Sequence, residues 1–306
     1  LLFQAHFAIK RRSMVKFIAK DLSFRLAAVD ATTVVREMQG LQNTYPLATM
    51  AVGRSMVAAL LMASHLKDGH EISLYFRGDG PLQLVFAEAT YEGEVRAYTP
   101  MPQLELPLRG GNLDVGGALG RGFLTVVRTL PGPLQPHRGT VEIQTGEIGD
   151  DVAFYLQQSH QVPSVVVVGV KVNAYGYVVS AGGVLIELMP GSDETVIGRL
   201  EAAVKAAGSV SEALAEGISE ADLGRRFADG LEMSEIPYKH KVVYHCRCNV
   251  ERVERSLQLL GMEEIEQMIK DDEKAEVRCE FCGRLYIRTK EDLEALLARL
   301  RKEHMH

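Results

Sequence analysis

The chain has 306 residues, of which 46% are apolar, 24% charged and 7% aromatic. This is enough for two domains with a sizeable core. The net charge of −6 argues against a general nucleic-acid binder, and no uninterrupted apolar run reaches the ~18 residues that span a bilayer.

Leu1–Ile9 is loosely apolar, but its basic residues (Lys10, Arg11, Arg12) follow it and no small-residue cleavage site appears, so it does not read as a signal peptide. Met14 reads as a natural start, and residues 1–13 as an extension left from expression. Without an export signal the chain is expected in the cytoplasm, where thiols stay reduced. Val15 to Arg36 carries an opening strand and a helix start, with Thr32 or Thr33 as the expected cap. Pro46 opens a helix over 46–67. Nearly every face of it is apolar or small, so it is predicted to be buried on all sides.

Strand patterns follow. Glu71–Phe76 and Leu82–Ala87 flank the turn Gly78-Asp79-Gly80-Pro81 as a hairpin. Val95–Tyr98, Phe123–Thr129 and Thr140–Thr145 add three more. Asp150 is expected to cap a helix over 151–160. Val165–Val172 is a β-branched run, and Ala181-Gly182-Gly183 reads as a bend or bulge between Tyr177–Ser180 and Val184–Leu188. Residues 14–190 are therefore expected to form one α+β domain, a mixed sheet covered by helices.

Past Pro190-Gly191 the texture changes. Residues 191–240 carry ten acidic and five basic residues and few large apolar anchors. Glu201–Ala207, Ser209–Glu216 and Ser219–Phe227 read as short helices whose isolated stability is marginal. This segment is expected to be a helical linker that needs a surface to lie on. Residues 241–301 form a last module. It has amphipathic helices at Val250–Leu260 and Met262–Ile269, strands around Val277 and at Leu285–Ile287, and a helix that Thr289 starts with Asp292 three positions on. About 60 residues is too little for firm folding by apolar burial alone.

That module holds the only four cysteines: Cys246-Arg247-Cys248 and Cys279-Glu280-Phe281-Cys282. Thiolates two or three positions apart reach one metal ion from one turn, and four soft donors suit tetrahedral zinc. Gly283 fits the tight bend such a turn needs. We read Cys246, Cys248, Cys279 and Cys282 as one zinc site, with one Zn(2+) per chain. Two local disulfides, four ordinary buried thiols and a thioredoxin-type C-x-x-C are the alternatives. The C-x-C ring is tight for a disulfide, and Cys282 runs into a turn and strand where the redox motif opens a helix. His245 is a possible substitute ligand, though four thiolates already fill the tetrahedron.

Other chemistry is missing. There is no Walker loop, G-x-S-x-G or G-x-G-x-x-G in a strand–helix setting. Gly78-Asp79-Gly80-Pro81 and Gly110-Gly111 lack the Lys-Ser/Thr of a phosphate loop. The acidic stretch Gly146–Asp151 reads as a helix start in preference to a divalent-ion loop. His304 and His306 belong to a tail, so no enzymatic site is expected.

The cysteine spacing, behind a helical linker and a larger α+β domain, resembles the 33 kDa chaperonin family of bacterial redox-regulated heat shock proteins. Gly78–Pro81, Thr145–Asp150, Gln161-Val162-Pro163-Ser164 and Ala181-Gly182-Gly183 fit it too, over roughly residues 15–300. The resemblance implies an ATP-independent holdase, inactive when reduced and zinc-bound. It implies that oxidants pair Cys246 with Cys248 and Cys279 with Cys282, that zinc leaves and the linker loosens, and that unfolding client proteins are then bound. It also implies a homodimer on activation, and neither nucleic acid nor membrane as a partner. A zinc-ribbon nucleic-acid binder is the rival from another class. Residues 241–288 carry nine Lys/Arg against ten Asp/Glu, a poor surface for phosphates. A thiol–disulfide enzyme is a third reading; it would turn over, where a stoichiometric switch would not.

Overall fold

The structure, a computed structural model, describes residues 13–271 and 274–303. The expectations about residues 1–12 and about His304 and His306 lie outside the described residues. The chain divides into two compact units, the second starting at Cys246.

In the first unit the elements run β1 (Met14–Ala19), β2 (Phe24–Asp30), α1 (Thr32–Gln42), α2 (Pro46–Ser64), β3 (Glu71–Gly78), β4 (Leu84–Thr90), β5 (Glu94–Tyr98), α3 (Val115–Leu119), β6 (Gly122–Thr129) and β7 (His137–Glu142). Next come α4 (Gly149–Tyr155), which continues as a π-helical turn over Leu156–His160, then β8 (Ser164–Val172) and β9 (Val178–Leu188). Three helices follow, α5 (Glu194–Ala207), α6 (Val210–Ala215) and α7 (Glu220–Phe227), and two short strands, β10 (Met233–Ile236) and β11 (Val243–Tyr244). The strands make two sheets, β10-β1-β2-β9-β8 and β11-β5-β4-β3-β6-β7. All pairings are antiparallel except β11 with β5. The fold class is α+β, with two sheets where one was expected.

Helix α2 packs against β2, β8 and β9 of one sheet and β3, β4 and β5 of the other. Except for Pro46, only Met50 and Arg54 along its length escape full burial. By length and composition alone α2 could cross a membrane, because Arg54 is its one charge. That corrects the count of apolar runs; here the helix is the buried core element that its all-round apolarity predicts. Arg54 pairs with Glu147 at 2.5 Å.

A second core lies under the linker. Leu200, Val210, Leu214, Leu223 and Phe227 from α5–α7 bury against Val15, Phe17, Leu26, Val184 and Ile186 of β1, β2 and β9. Each helix has a side-chain cap: Asp193 for α5, Ser209 for α6 and Ser219 for α7. Strand β10 extends the first sheet beside β1, and β11 extends the second beside β5. Neither strand was expected from the sequence.

Several local expectations need correction. Thr32 and Thr33 do not cap α1. They lie inside its first turn, Ala31 is the cap residue, and the Thr32 N–H donates to Asp30 Oδ1 at 3.0 Å. Thr32 Oγ1 instead accepts the Ala181 N–H at 3.0 Å, tying the helix to β9. Asp150 does not cap α4 either. Asp151 is fully buried and accepts the N–H groups of Gln144, Thr145 and Ile148 at 2.7, 3.0 and 3.2 Å. One side chain thus folds the whole acidic loop onto the helix start by accepting three backbone N–H groups. Ala181-Gly182-Gly183 is neither bend nor bulge, since β9 runs straight through it with regular register on both sides. The glycines are there because neighbours come too close for a side chain. A Cβ on Gly182 would sit 2.3 Å from Val29 O, and one on Gly183 2.6 Å from Val167 O. The irregularity in this sheet falls at Lys171/Val172 instead.

The second unit is built from α8 (Val250–Gln258), α9 (Met262–Asp271), β12 (Lys274–Arg278), β13 (Leu285–Thr289) and α10 (Lys290–Glu303). Strands β12 and β13 form an antiparallel hairpin across the second cysteine pair. The core is small: Val253, Leu257, Ile265, Ala275, Leu293, Leu296, Leu297 and Leu300. Thr289 and Asp292 form the expected reciprocal cap, with the Thr289 N–H on Asp292 Oδ2 at 3.1 Å and the Asp292 N–H on Thr289 Oγ1 at 3.4 Å.

Candidate metal centre

The two cysteine pairs come from the start of the second unit's sequence and from the hairpin near its middle. Cys246 and Cys248 stand just before α8, whose start Asn249 caps by accepting the Arg252 N–H at 2.9 Å. Cys279 and Cys282 sit in the turn between β12 and β13. There the Cys279 N–H donates to Arg284 O at 2.9 Å and the Gly283 N–H to Cys279 O at 2.8 Å. Gly283 has φ of +67°, a left-handed conformation that a side chain resists. The turn points both sulfurs of its pair to one side.

The four Sγ atoms lie within 4.8 Å of one another. Cys246 and Cys279 are 3.5 Å apart, as are Cys248 and Cys282. Thiolates around a tetrahedral ion with metal–sulfur bonds of about 2.3 Å stand about 3.8 Å apart. The cluster therefore fits a four-thiolate site with only small sulfur movements. It is the one group of three or more potential ligands this close among the described residues. His245 is not part of it; its Nδ1 faces Glu94 Oε1 at 2.8 Å. Among the described residues no such ligand group forms at Gly146–Asp151, where Glu147 goes to Arg54 and Asp151 to the backbone.

Burial, with the hydrogen bonds among the sulfurs, pushes the Cys246 thiol far up, and burial likewise raises Cys282. At Cys248 burial also acts upward, but hydrogen bonds from the Tyr286 hydroxyl and the neighbouring thiols outweigh it and bring the group down to about 7. Four thiolates this close repel one another. A divalent ion relieves that repulsion for all four at once.

Tyr286 was read from the sequence only as a strand residue. In the structure its hydroxyl donates to Cys248 Sγ at 3.1 Å, a hydrogen bond that orients a ligand and tempers its charge. A polar network braces the same unit. Arg288 pairs with Glu254 at 2.8 Å and Asp292 at 3.1 Å, and Arg299 reaches Glu254 at 2.5 Å. Alternation in Leu285–Thr289 hints at a tyrosine and an arginine on one strand face, but their partners depend on the hairpin register.

The chain is similar to known proteins in both sequence and fold. The family model described as Hsp33 protein matches residues 13–289. The chain belongs to the Hsp33 family. The 33 kDa chaperonin of Desulforamulus reducens is 37% identical over 291 residues, covering 95% of this chain and 98% of that protein. The 33 kDa chaperonin of Bacillus subtilis is 39% identical over 285 residues, covering 92% and 97%. The crystal structure of the 33 kDa chaperonin from Thermotoga maritima superposes with a TM-score of 0.87 at 31% identity, covering 95% of this chain and all of that one. Hsp33 membership thus spans both units, including the linker helices and the cysteine turn.

Proposed function

We propose that this chain is a redox-regulated, ATP-independent holdase of the cytoplasm, not an enzyme. Family membership supports the chaperone part. The observation that carries the redox part is the convergence of all four cysteines on one point in a unit with so small a core. Cys246, Cys248, Cys279 and Cys282 hold one Zn(2+) in the reduced state. The ion, when bound, supplies charge neutralisation and a cross-link between the start of the unit and its β12–β13 hairpin. The chain's own residues do the rest. Tyr286 holds Cys248, Gly283 sets the turn, and the thiolates stay available to oxidants.

Oxidation removes the ligands. Each cysteine pair, Cys246–Cys248 and Cys279–Cys282, gives two electrons to one peroxide. A sulfur–sulfur bond forms, the peroxide O–O bond breaks, and with two protons two waters leave. The cross-link between the start of the unit and its hairpin is then gone, together with metal-binding energy on the scale of ~10–16 kcal/mol. Residues 241–301 act as the sensor, 191–240 as the element that loosens next, and 14–190 as the core that remains. If α5–α7 lift, the apolar residues of β1, β2 and β9 that they cover become exposed. An apolar patch of this kind is what an unfolding client protein can bind. The activated form is a homodimer, and neither nucleic acid nor a membrane is a partner.

The test is zinc content per chain before and after peroxide with mild heat, read beside aggregation of an unfolding client. The reading expects about one zinc released per chain and aggregation suppressed only after oxidation. Zinc retained through activation, or equal suppression in dithiothreitol throughout, contradicts it.

A further inference from the structure

The last stretch before the metal centre is fastened to the first unit by contacts that the redox reading does not use. Residues 238–245 run from β10 of the linker toward the ligand Cys246, with only His245 between β11 and that cysteine. They do not pack on the second core, where α5–α7 lie. Tyr238 is buried in the main core around α2, and Val242 and Tyr244 pack against that core. The stretch is therefore held by a surface of its own.

That surface centres on the turn between β4 and β5. The Tyr238 hydroxyl donates to Tyr91 O at 2.8 Å. Its ring meets the Tyr91 ring edge-on with centroids 6.0 Å apart, and the His240 ring closes the group at 5.3 Å from Tyr91 and 5.4 Å from Tyr238. Edge-to-face rings at this spacing attract beyond their burial. Farther along, the Val243 N–H donates to Gly93 O and the His245 N–H to Val95 O, each at 3.0 Å. Gly93 has φ of +88°, and a Cβ there would stand 2.6 Å from Lys241 O. The missing side chain lets the stretch lie directly on the turn.

The same group reaches the strand that β10 pairs with. Lys16 of β1 stands opposite Ile236 of β10, and its Nζ lies 5.7 Å from the Tyr91 ring centroid, within cation–π range. That ammonium also donates to Ser64 O at the end of α2, at 2.6 Å. Tyr91 thus touches residues 238–240 and also the β1 residue paired with β10. Strand β11 alone is two residues long. So short a pairing opens easily, and the ring cluster is what joins its release to that of β10.

We propose that Tyr91, Tyr238 and His240 form a latch that keeps the linker closed, and that unfolding of the metal unit reaches α5–α7 by opening it. The role of the latch rests on the redox reading. Its test uses neither oxidant nor client protein, so the two fail separately.

The test is amide hydrogen exchange on the reduced, zinc-loaded full chain of three variants. Tyr238→Ala removes the ring and its hydroxyl. Gly93→Ala drives Lys241 off the turn while keeping every side chain of the latch. Tyr238→Phe removes the hydroxyl alone. Amides of α5–α7 should exchange at least about tenfold faster in Y238A and G93A, because local opening sets their rate, and by a smaller factor in Y238F. Zinc content should match the wild type, and α2 should keep its wild-type protection. The inference is overturned if α5–α7 exchange at the wild-type rate in both Y238A and G93A. It is also overturned if α2 speeds up by the same factor as α5–α7, which would make Tyr238 an ordinary core residue.

Discussion

The two units of this chain are stable for different reasons. In the first, α2 is buried on every side between two sheets, and a second core lies beneath α5–α7. In the second, eight apolar side chains, one ion-pair network around Arg288 and Glu254, and four cysteines hold five short elements. Burial at about 25 cal/mol per Å² offsets chain entropy comfortably only where the core is large. The larger unit is therefore held by packing. On the proposed reading the smaller one is held at its metal site, a point that chemistry can remove.

The largest effect expected from this contrast follows from Cys279→Ser. Losing one of four ligands should strip most of the metal affinity, on the scale of several of the ~10–16 kcal/mol such sites supply. The second unit should then lose its ordered amide spectrum while signals from β3, β4 and β6 stay put. Loss of order throughout both units would break the comparison.

Core substitutions come next. Leu61→Ala in α2 and Leu293→Ala in α10 each remove a fully buried leucine, a change worth about 2–5 kcal/mol. The first should lower the denaturation midpoint of the large unit and leave zinc affinity unchanged. The second should weaken zinc binding, because on the proposed reading folding and metal binding are one equilibrium in the small unit. Equal zinc affinity in the two variants would contradict that coupling.

A smaller effect concerns acid. Glu187 is held at about 2 in the folded chain, against an ordinary value of 4.5. A depressed carboxyl stabilises above its unfolded value and loses that contribution as pH falls through the folded one. The first unit should therefore lose up to about 3 kcal/mol between pH 4.5 and 2. His65, lowered by burial, adds in the same direction. Glu187→Gln should flatten the pH slope in urea titrations; an unchanged slope would place the acid sensitivity elsewhere.

What could be read without coordinates differs along the same line. The cysteine site was legible because C-x-C and C-x-x-C constrain the ligands locally, whatever the rest of the fold does. The burial of α2 was legible from its uniform apolarity. Tyr286 was not, because its contact with Cys248 depends on the register of β12 with β13. Nor was the group at His65, since Arg25 meets Glu187 only through the pairing of β2 with β9. Gly182-Gly183 looked like a bend because a glycine pair carries no record of its cause, here a neighbouring carbonyl on each side. The strands β10 and β11 are too short to show a pattern, yet β10 fastens the linker to the first sheet and β11, just past the linker, fastens the chain to the second.

The most direct test of the central claim is amide hydrogen exchange on the full chain, reduced with zinc and then after peroxide. Protection is expected to vanish across α8–α10 first and across α5–α7 next, while α2 and the sheets around it keep theirs. Protection that persists in α8–α10 after the zinc has gone, or that is lost in α2 at the same time, would contradict it.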